Sequence, residues 1–260
     1  MKNQTVLDQI EPELMQRVIS RRGAFRRLGL ATAGILSVPA AIGLMSREAF
    51  GAFLPAQITD ALNFAILVER LEYELYHRGL NTQGLIPQQF LPVYRVLVDH
   101  EREHLQALNG VLIGQRKPQP DFDYTAGGLY PEVFRNYNDF TAVAQMLEDT
   151  GVRAYKGQFA NLMTYHDMLT LVLQIHSVEA RHASEIRRLR GEKGWITGSS
   201  RGTLPATAQP VYDGEANMVQ GPVDLAGLTH LPPSAVTAAF DEPLTKREVL
   251  LIIQPFIVGL

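Results

Sequence analysis

The stretch Asp99-His100-Glu101-Arg102-Glu103-His104-Leu105 sets a carboxylate and an imidazole three residues apart, and Glu179-Ala180-Arg181-His182 repeats the pair. Residues at i and i+3 share a helix face, so each Glu-x-x-His can grip one ion from one side. Worked outward in steps of three and four, both pairs fall on apolar stripes. One stripe runs Tyr94, Leu97, Glu101, His104, Leu108; the other runs Val172, Ile175, Glu179, His182, Ile186, Leu189. Two further stripes carry one glutamate each: Leu62, Ile66, Glu69, Tyr73, Tyr76, and Ala144, Glu148, Gly151, Tyr155, Leu162. Carboxylates in a helical core repel one another and resist desolvation. Divalent cations offset that cost. Carboxylate and imidazole donors suit iron or manganese, and zinc less specifically.

The four stripes predict four helices. The first spans about Ile58 to Tyr76 and stops near Gly79. The second opens near Pro87 and runs to about Leu112. The third is capped at Asn138-Asp139 and ends near Leu162. The fourth follows Asp167 and runs to Leu189, with Gly191 as its stop. Short loops join the first to the second and the third to the fourth. Gln115 to Tyr137 makes a long crossover between the two hairpins. The expected fold is all-α, a four-helix bundle over residues 55–192.

One glutamate from each of two helices, plus Glu-x-x-His from each of the other two, is the ligand pattern of the ferritin-like dimetal carboxylate proteins. From about residue 57 to 190 the chain resembles that superfamily. The resemblance implies two iron ions or two manganese ions held by Glu69, Glu101, His104, Glu148, Glu179 and His182. Glu69 and Glu148 would be terminal, Glu101 and Glu179 bridging, and each histidine would serve one ion. It also implies oxidation of iron, removal of peroxide or activation of oxygen, with small oxidants as partners. The tail Ala239-Phe240-Asp241-Glu242-Pro243-Leu244-Thr245-Lys246-Arg247-Glu248-Val249-Leu250 is similar to that of bacterial and plant desiccation-related ferritin-like proteins.

Other readings of the same residues exist. His100 to His104 also fits the H-E-x-x-H pattern of zinc metalloproteases, with Glu101 as general base. An inert bundle would pair its core carboxylates with Arg70, Arg102 or Arg153. A non-catalytic stress protein would use the metal only as a staple. Tyr73, Tyr155 and His176 are candidates for supporting the ligands through hydrogen bonds. Glu72, Glu74, His77, Glu103 and Arg181 read as solvated or rim positions.

Before the bundle, Arg21-Arg22 precedes an uncharged apolar run from Leu28 to about Met45, then small residues near Ala49 and Gly51. Residues 1–54 thus read as a twin-arginine export signal, giving a periplasmic or envelope location, or as a retained membrane anchor. Residues 193–260 read as an irregular extension with a short terminal helix opened by a Thr245/Glu248 capping box. The 260-residue chain has a formal charge of -3 and no cysteine. This gives no electrostatic case for nucleic acid and removes disulfides, thiolate nucleophiles and Cys-type metal sites. A homo-oligomer is compatible with such a bundle, but no residue specifies it.

Overall fold

A computed structural model describes residues 54–228 and 230–259. The expected N-terminal export signal or anchor lies outside the described residues, apart from Leu54. Four long helices form the bundle: α1 Ala56–Asn81, α2 Leu91–Val111, α3 Tyr137–Leu162 and α4 His166–Leu189. The most extensive packing is α3 on α4, then α1 on α2, then α1 on α3. The all-α expectation holds. Among the described residues, no helix is long and apolar enough to cross a membrane.

Several helix ends differ from expectation for local reasons. Gly79 does not stop α1. It is buried inside the helix, where any Cβ would collide with the Phe140 ring of α3. The chain turns later, at Gly84, where φ is 78°. Pro87 opens a 3-10 turn over Gln88–Phe90, and α2 begins only at Leu91. The cap of α3 is Asn136, whose Oδ1 accepts from Asn138 N at 2.8 Å and Asp139 N at 3.4 Å. Asn138 and Asp139 therefore supply the capped N–H groups, not the cap.

The crossover is not loose. Tyr124, Tyr130 and Val133 are buried, and the Tyr124 hydroxyl donates to Leu71 O at 2.7 Å. The chain's end pairs with it: Asp123 N donates to Phe256 O at 2.8 Å, and Val258 N to Asp121 O at 3.0 Å. Between α4 and that end, the extension holds a 3-10 turn (Ala206–Val211) and an antiparallel ribbon of β1 Val219–Gln220 and β2 Val223–Asp224. Two short helices follow, α5 Pro233–Thr237 and α6 Lys246–Ile253. Thr245 and Glu248 form the capping box of α6.

Two apolar clusters divide the bundle along its length. One contains Ile58, Leu62 and Ile66 of α1, Leu108 of α2, Leu162 of α3, and Val172 and Ile175 of α4. The other contains Leu71, Leu75 and Tyr76, Tyr94 and Leu97, Phe140 and Leu147, and Ile186 of the same four helices. On every helix the glutamate of the stripe lies in sequence between these residues of the two clusters. Burial of the apolar layers, at ~25 cal/mol per Å², holds a polar layer in place that has no reason to assemble by itself.

Candidate metal centre

Glu69, Glu101, Glu148 and Glu179 are each 0 % exposed, and His104 and His182 are 8 % and 3 % exposed. The six side chains converge. Glu69, Glu101, His104 and Glu179 form one group of donor atoms that could hold an ion, and Glu101, Glu148, Glu179 and His182 form a second. Within each group the donor atoms lie within 4.8 Å of one another, and Glu101 and Glu179 belong to both groups. His104 Nδ1 is 3.0 Å from Glu69 Oε2, 3.3 Å from Glu101 Oε2 and 3.0 Å from Glu179 Oε1. His182 Nδ1 is 2.7 Å from Glu101 Oε1, 3.7 Å from Glu179 Oε2 and 3.8 Å from Glu148 Oε2.

These short distances are only partly hydrogen bonds. Glu101 Oε1, Glu148 Oε2, both oxygens of Glu179 and His182 Nδ1 are buried without an aligned hydrogen-bond partner. Such orphaned atoms are rare in folded proteins and call for an ion or another partner. Hard carboxylate oxygens and borderline imidazole nitrogens fit a divalent transition metal.

Glu69 and Glu148 are hydrogen-bonded across the bundle. The Tyr76 hydroxyl of α1 donates to Glu148 Oε1 of α3 at 2.5 Å, and the Tyr155 hydroxyl of α3 donates to Glu69 Oε1 of α1. Each tyrosine stands seven residues after the glutamate of its own helix, which places the two helices in a reciprocal relation. Tyr155 thus makes the hydrogen bond expected of it. Tyr73 does not: it is half-buried, stacks on His77 at 5.6 Å, and leaves its expected place to Tyr76. Tyr76 was already on the stripe, but its partner is on another helix, beyond any local spacing rule. His176 packs edge-on against Phe159 at 5.0 Å and belongs to neither group of donors.

Electrostatics follow from this crowding. Burial first, then the Glu179 and Glu101 carboxylates, push Glu69 and Glu148 well above the ordinary carboxylate range. Burial alone would raise Glu101, but His104 and His182 hold it down to about 2. Burial would lower His182, but Glu179 and Glu148 outweigh it and push it up to about 11. Without a metal, the site is a cluster of acids sharing protons with two imidazoles.

The competing assignments lose their partners. Arg70 pairs with Glu74 at 2.5 Å, Arg102 with Asp99 at 2.7 Å, and Arg153 with Glu215 at 2.7 Å. In these ion pairs none of the three arginines joins the six side chains, so the inert bundle lacks the arginine partners it requires. The zinc-protease pattern needs His100 beside His104, yet His100 joins neither donor group. Its Nδ1 lies instead 3.0 Å from His182 Nε2, with the two rings stacked at 5.2 Å.

Glu72 is not a rim residue but 1 % exposed, and neither carboxylate oxygen has a hydrogen-bond partner. Its surroundings depend on Gly151 of α3, which the spacing along α1 cannot reveal.

The profile of the ferritin-like domain family matches residues 57–192, just over half of the chain. This chain belongs to the ferritin-like domain family. The ferritin-like match covers all four long helices apart from the first residue of α1, and with them every donor of the two groups. A search of the curated proteins finds no match.

Proposed function

We propose that the ferritin-like bundle holds two iron or two manganese ions and uses them on small oxidants. Glu69 and Glu148 each serve one ion, Glu101 and Glu179 serve both, and His104 and His182 serve one each. The observation that carries this reading is the sharing of Glu101 and Glu179 between two donor groups that lack a neutralising arginine. Either metal supplies one-electron redox steps when bound. The protein supplies the rest. Tyr76 and Tyr155 fix the terminal carboxylates by donating to them, and the two apolar clusters keep bulk water out. An apolar cavity of about 10 Å³ is lined by Phe64, Val68, Tyr155, Leu162 and Val172 among others. A space of that size admits a molecule no larger than about one water. An organic substrate does not fit it.

The similarity of the tail supports a role in stress protection like that suggested by the desiccation-related ferritin-like proteins. Arg21-Arg22 and the following apolar run support export to the periplasm or envelope by the twin-arginine route. The test is elemental analysis of the full chain from its own compartment, combined with peroxide and oxygen consumption. Two redox-active ions with turnover are expected. Redox-inert occupancy without turnover would reduce the metal to a staple.

A metal-bound imidazole usually donates its other ring N–H to an outer partner, and loss of such partners lowers metal affinity about 10–100-fold. His182 faces the carboxylates through Nδ1 and His100 through Nε2. His100→Ala should therefore weaken metal binding about 10–100-fold in a chelator competition. Unchanged affinity would remove His100 from the site.

The site also sets a pH dependence. In the metal-free protein, Glu69 and Glu148 keep protons above 4.5, where the unfolded chain has lost them. His182 keeps its proton between 6.5 and about 11. In both cases the folded state binds more protons than the unfolded state, so stability falls as pH rises. The opposing contribution of Glu101 is lost only below 4.5, as pH falls towards about 2. Metal binding displaces protons and strengthens with pH. The melting temperature of the metal-free protein should fall between about pH 5 and pH 9, and added metal should protect increasingly over the same range. Parallel pH profiles with and without metal would contradict the ligand set.

A further inference from the structure

Arg153 of α3 and Arg187 of α4 are both buried, at 1 % and 3 % exposed. Their surroundings differ. Arg153 has a carboxylate and three carbonyl oxygens around it. Arg187 makes no hydrogen bond among the described residues, and its Nε and Nη1 are enclosed without a partner. Its ion pair with Asp149 is long, 3.5 Å from Nη1 to Oδ2, and that oxygen already accepts from the Tyr212 hydroxyl at 2.6 Å. The Tyr212 ring lies 5.8 Å from the Arg187 Cζ. A buried guanidinium is costly unless its N–H groups are met. Nη2 lacks a partner as well, but it is not enclosed like the other two nitrogens. Arg187 lines a cavity.

That cavity measures about 120 Å³ and lies between α3, α4 and two segments of the extension, residues 194–196 and 238–241. The volume is close to the ~150 Å³ that holds one benzene molecule. Arg187 gives it unmet donors. Asp241 gives it unmet acceptors: its carbonyl receives Lys156 Nζ, but its carboxylate makes no hydrogen bond or ion pair among the described residues. Four of the lining residues are alanine, a small apolar wall. Trp195 and Phe240 also line the cavity and are 52 % and 37 % exposed, so its wall continues to the surface and a solute can enter. None of the lining residues belongs to the donor groups of the metal centre.

We propose that this cavity binds a small zwitterion of the α-amino acid class, with its carboxylate on Arg187 and its ammonium on Asp241. An anion alone would meet Arg187 but face the Asp149 and Asp241 carboxylates. A cation alone would meet Asp241 and leave the guanidinium without an acceptor. A molecule carrying both charges satisfies both walls through charge-assisted hydrogen bonds. The alanine surface suits a side chain as short as a methyl group.

Trp195 is the chain's one tryptophan, so its fluorescence reports on the cavity. L-alanine is the probe, with as many non-hydrogen atoms as benzene. Acetate and methylammonium carry its two ends separately. In the full chain, millimolar L-alanine should change the Trp195 emission saturably and raise the melting temperature. Each half-ligand should bind about tenfold more weakly or worse. Asp241→Asn should weaken L-alanine binding about tenfold or more, and it should fold as the wild type does because the Asp241 carboxylate holds no partner. Arg187→Lys keeps a charge beside Asp149 and should also weaken binding, through loss of the planar donor group. No saturable response to L-alanine in either readout would overturn the proposal and leave a water-filled cavity. Wild-type affinity in Asp241→Asn would overturn it too. Acetate binding as tightly as L-alanine would replace the zwitterion site with an anion site.

Discussion

Replacing Glu101 with alanine is expected to strip the protein of both metal ions, not one. Glu101 is a member of both donor groups, and its two oxygens face different histidines: Oε1 lies 2.7 Å from His182 Nδ1 and Oε2 lies 3.3 Å from His104 Nδ1. If the site holds two ions as proposed, removing it would leave each ion one donor short. Loss of an outer partner costs about 10–100-fold in affinity, so loss of a shared direct ligand should exceed about 100-fold. Glu69→Ala and Glu148→Ala touch one group each and should weaken chiefly one ion. The helices should survive in Glu101→Ala, because the apolar clusters on either side are untouched and the metal-free core has lost a buried charge. Elemental analysis and far-ultraviolet circular dichroism of the full chain read the two quantities. Full occupancy in Glu101→Ala would show that the convergence of these side chains serves something other than metal.

The six donors were legible because each lies on a stripe whose other members are apolar or aromatic. A glutamate between Ile66 and Tyr76, or between Ile175 and Ile186, has no reason to be there if the stripe only fills a core. Four such stripes in the right order fixed the bundle as well. Legibility ended where a residue's environment came from a different helix. Glu72 reads as a rim position along α1, and only Gly151 across the bundle makes it a core position. Tyr73 and Tyr76 both lie on the stripe; the spacing points to Tyr73, and the packing of α1 on α3 selects Tyr76. Gly79 looked like a stop signal because glycine disfavours helices, but its absent side chain makes room for Phe140. The extension was the least legible part. Its sequence lacks a period because its position comes from side chain to backbone contacts with α3, which leave no periodic trace.

Those contacts make Arg153→Ala the other change of large expected effect, on stability and not on metal. Arg153 is 1 % exposed. It pairs with Glu215 at 2.7 Å and donates to Glu242 O at 2.8 Å, to Asp213 O at 2.9 Å and to Val211 O. One helical side chain thus gathers three separate carbonyls and one carboxylate of the extension. Next to it, Leu244 N donates to Arg153 O at 3.1 Å, and a Cβ at Gly157 would collide with the Leu244 carbonyl oxygen. Breaking a buried pair by removing one partner costs about 3–5 kcal/mol. That corresponds to a fall in melting temperature on the order of 10 °C for a chain of this size. Glu215 limits the loss: burial already pushes it up to about 7 against the pull of Arg153, so it can take a proton once the arginine is gone. The penalty should therefore be nearer ~3 kcal/mol than the upper figure, and smaller still at acidic pH. Gly157→Ala should also destabilise, although alanine favours an isolated helix by about 1 kcal/mol. Limited proteolysis should then cut between residues 194 and 244 in both variants, while metal content stays at the wild-type level. Unchanged melting and an intact extension in both would mean that the contacts on α3 follow from its docking and do not cause it.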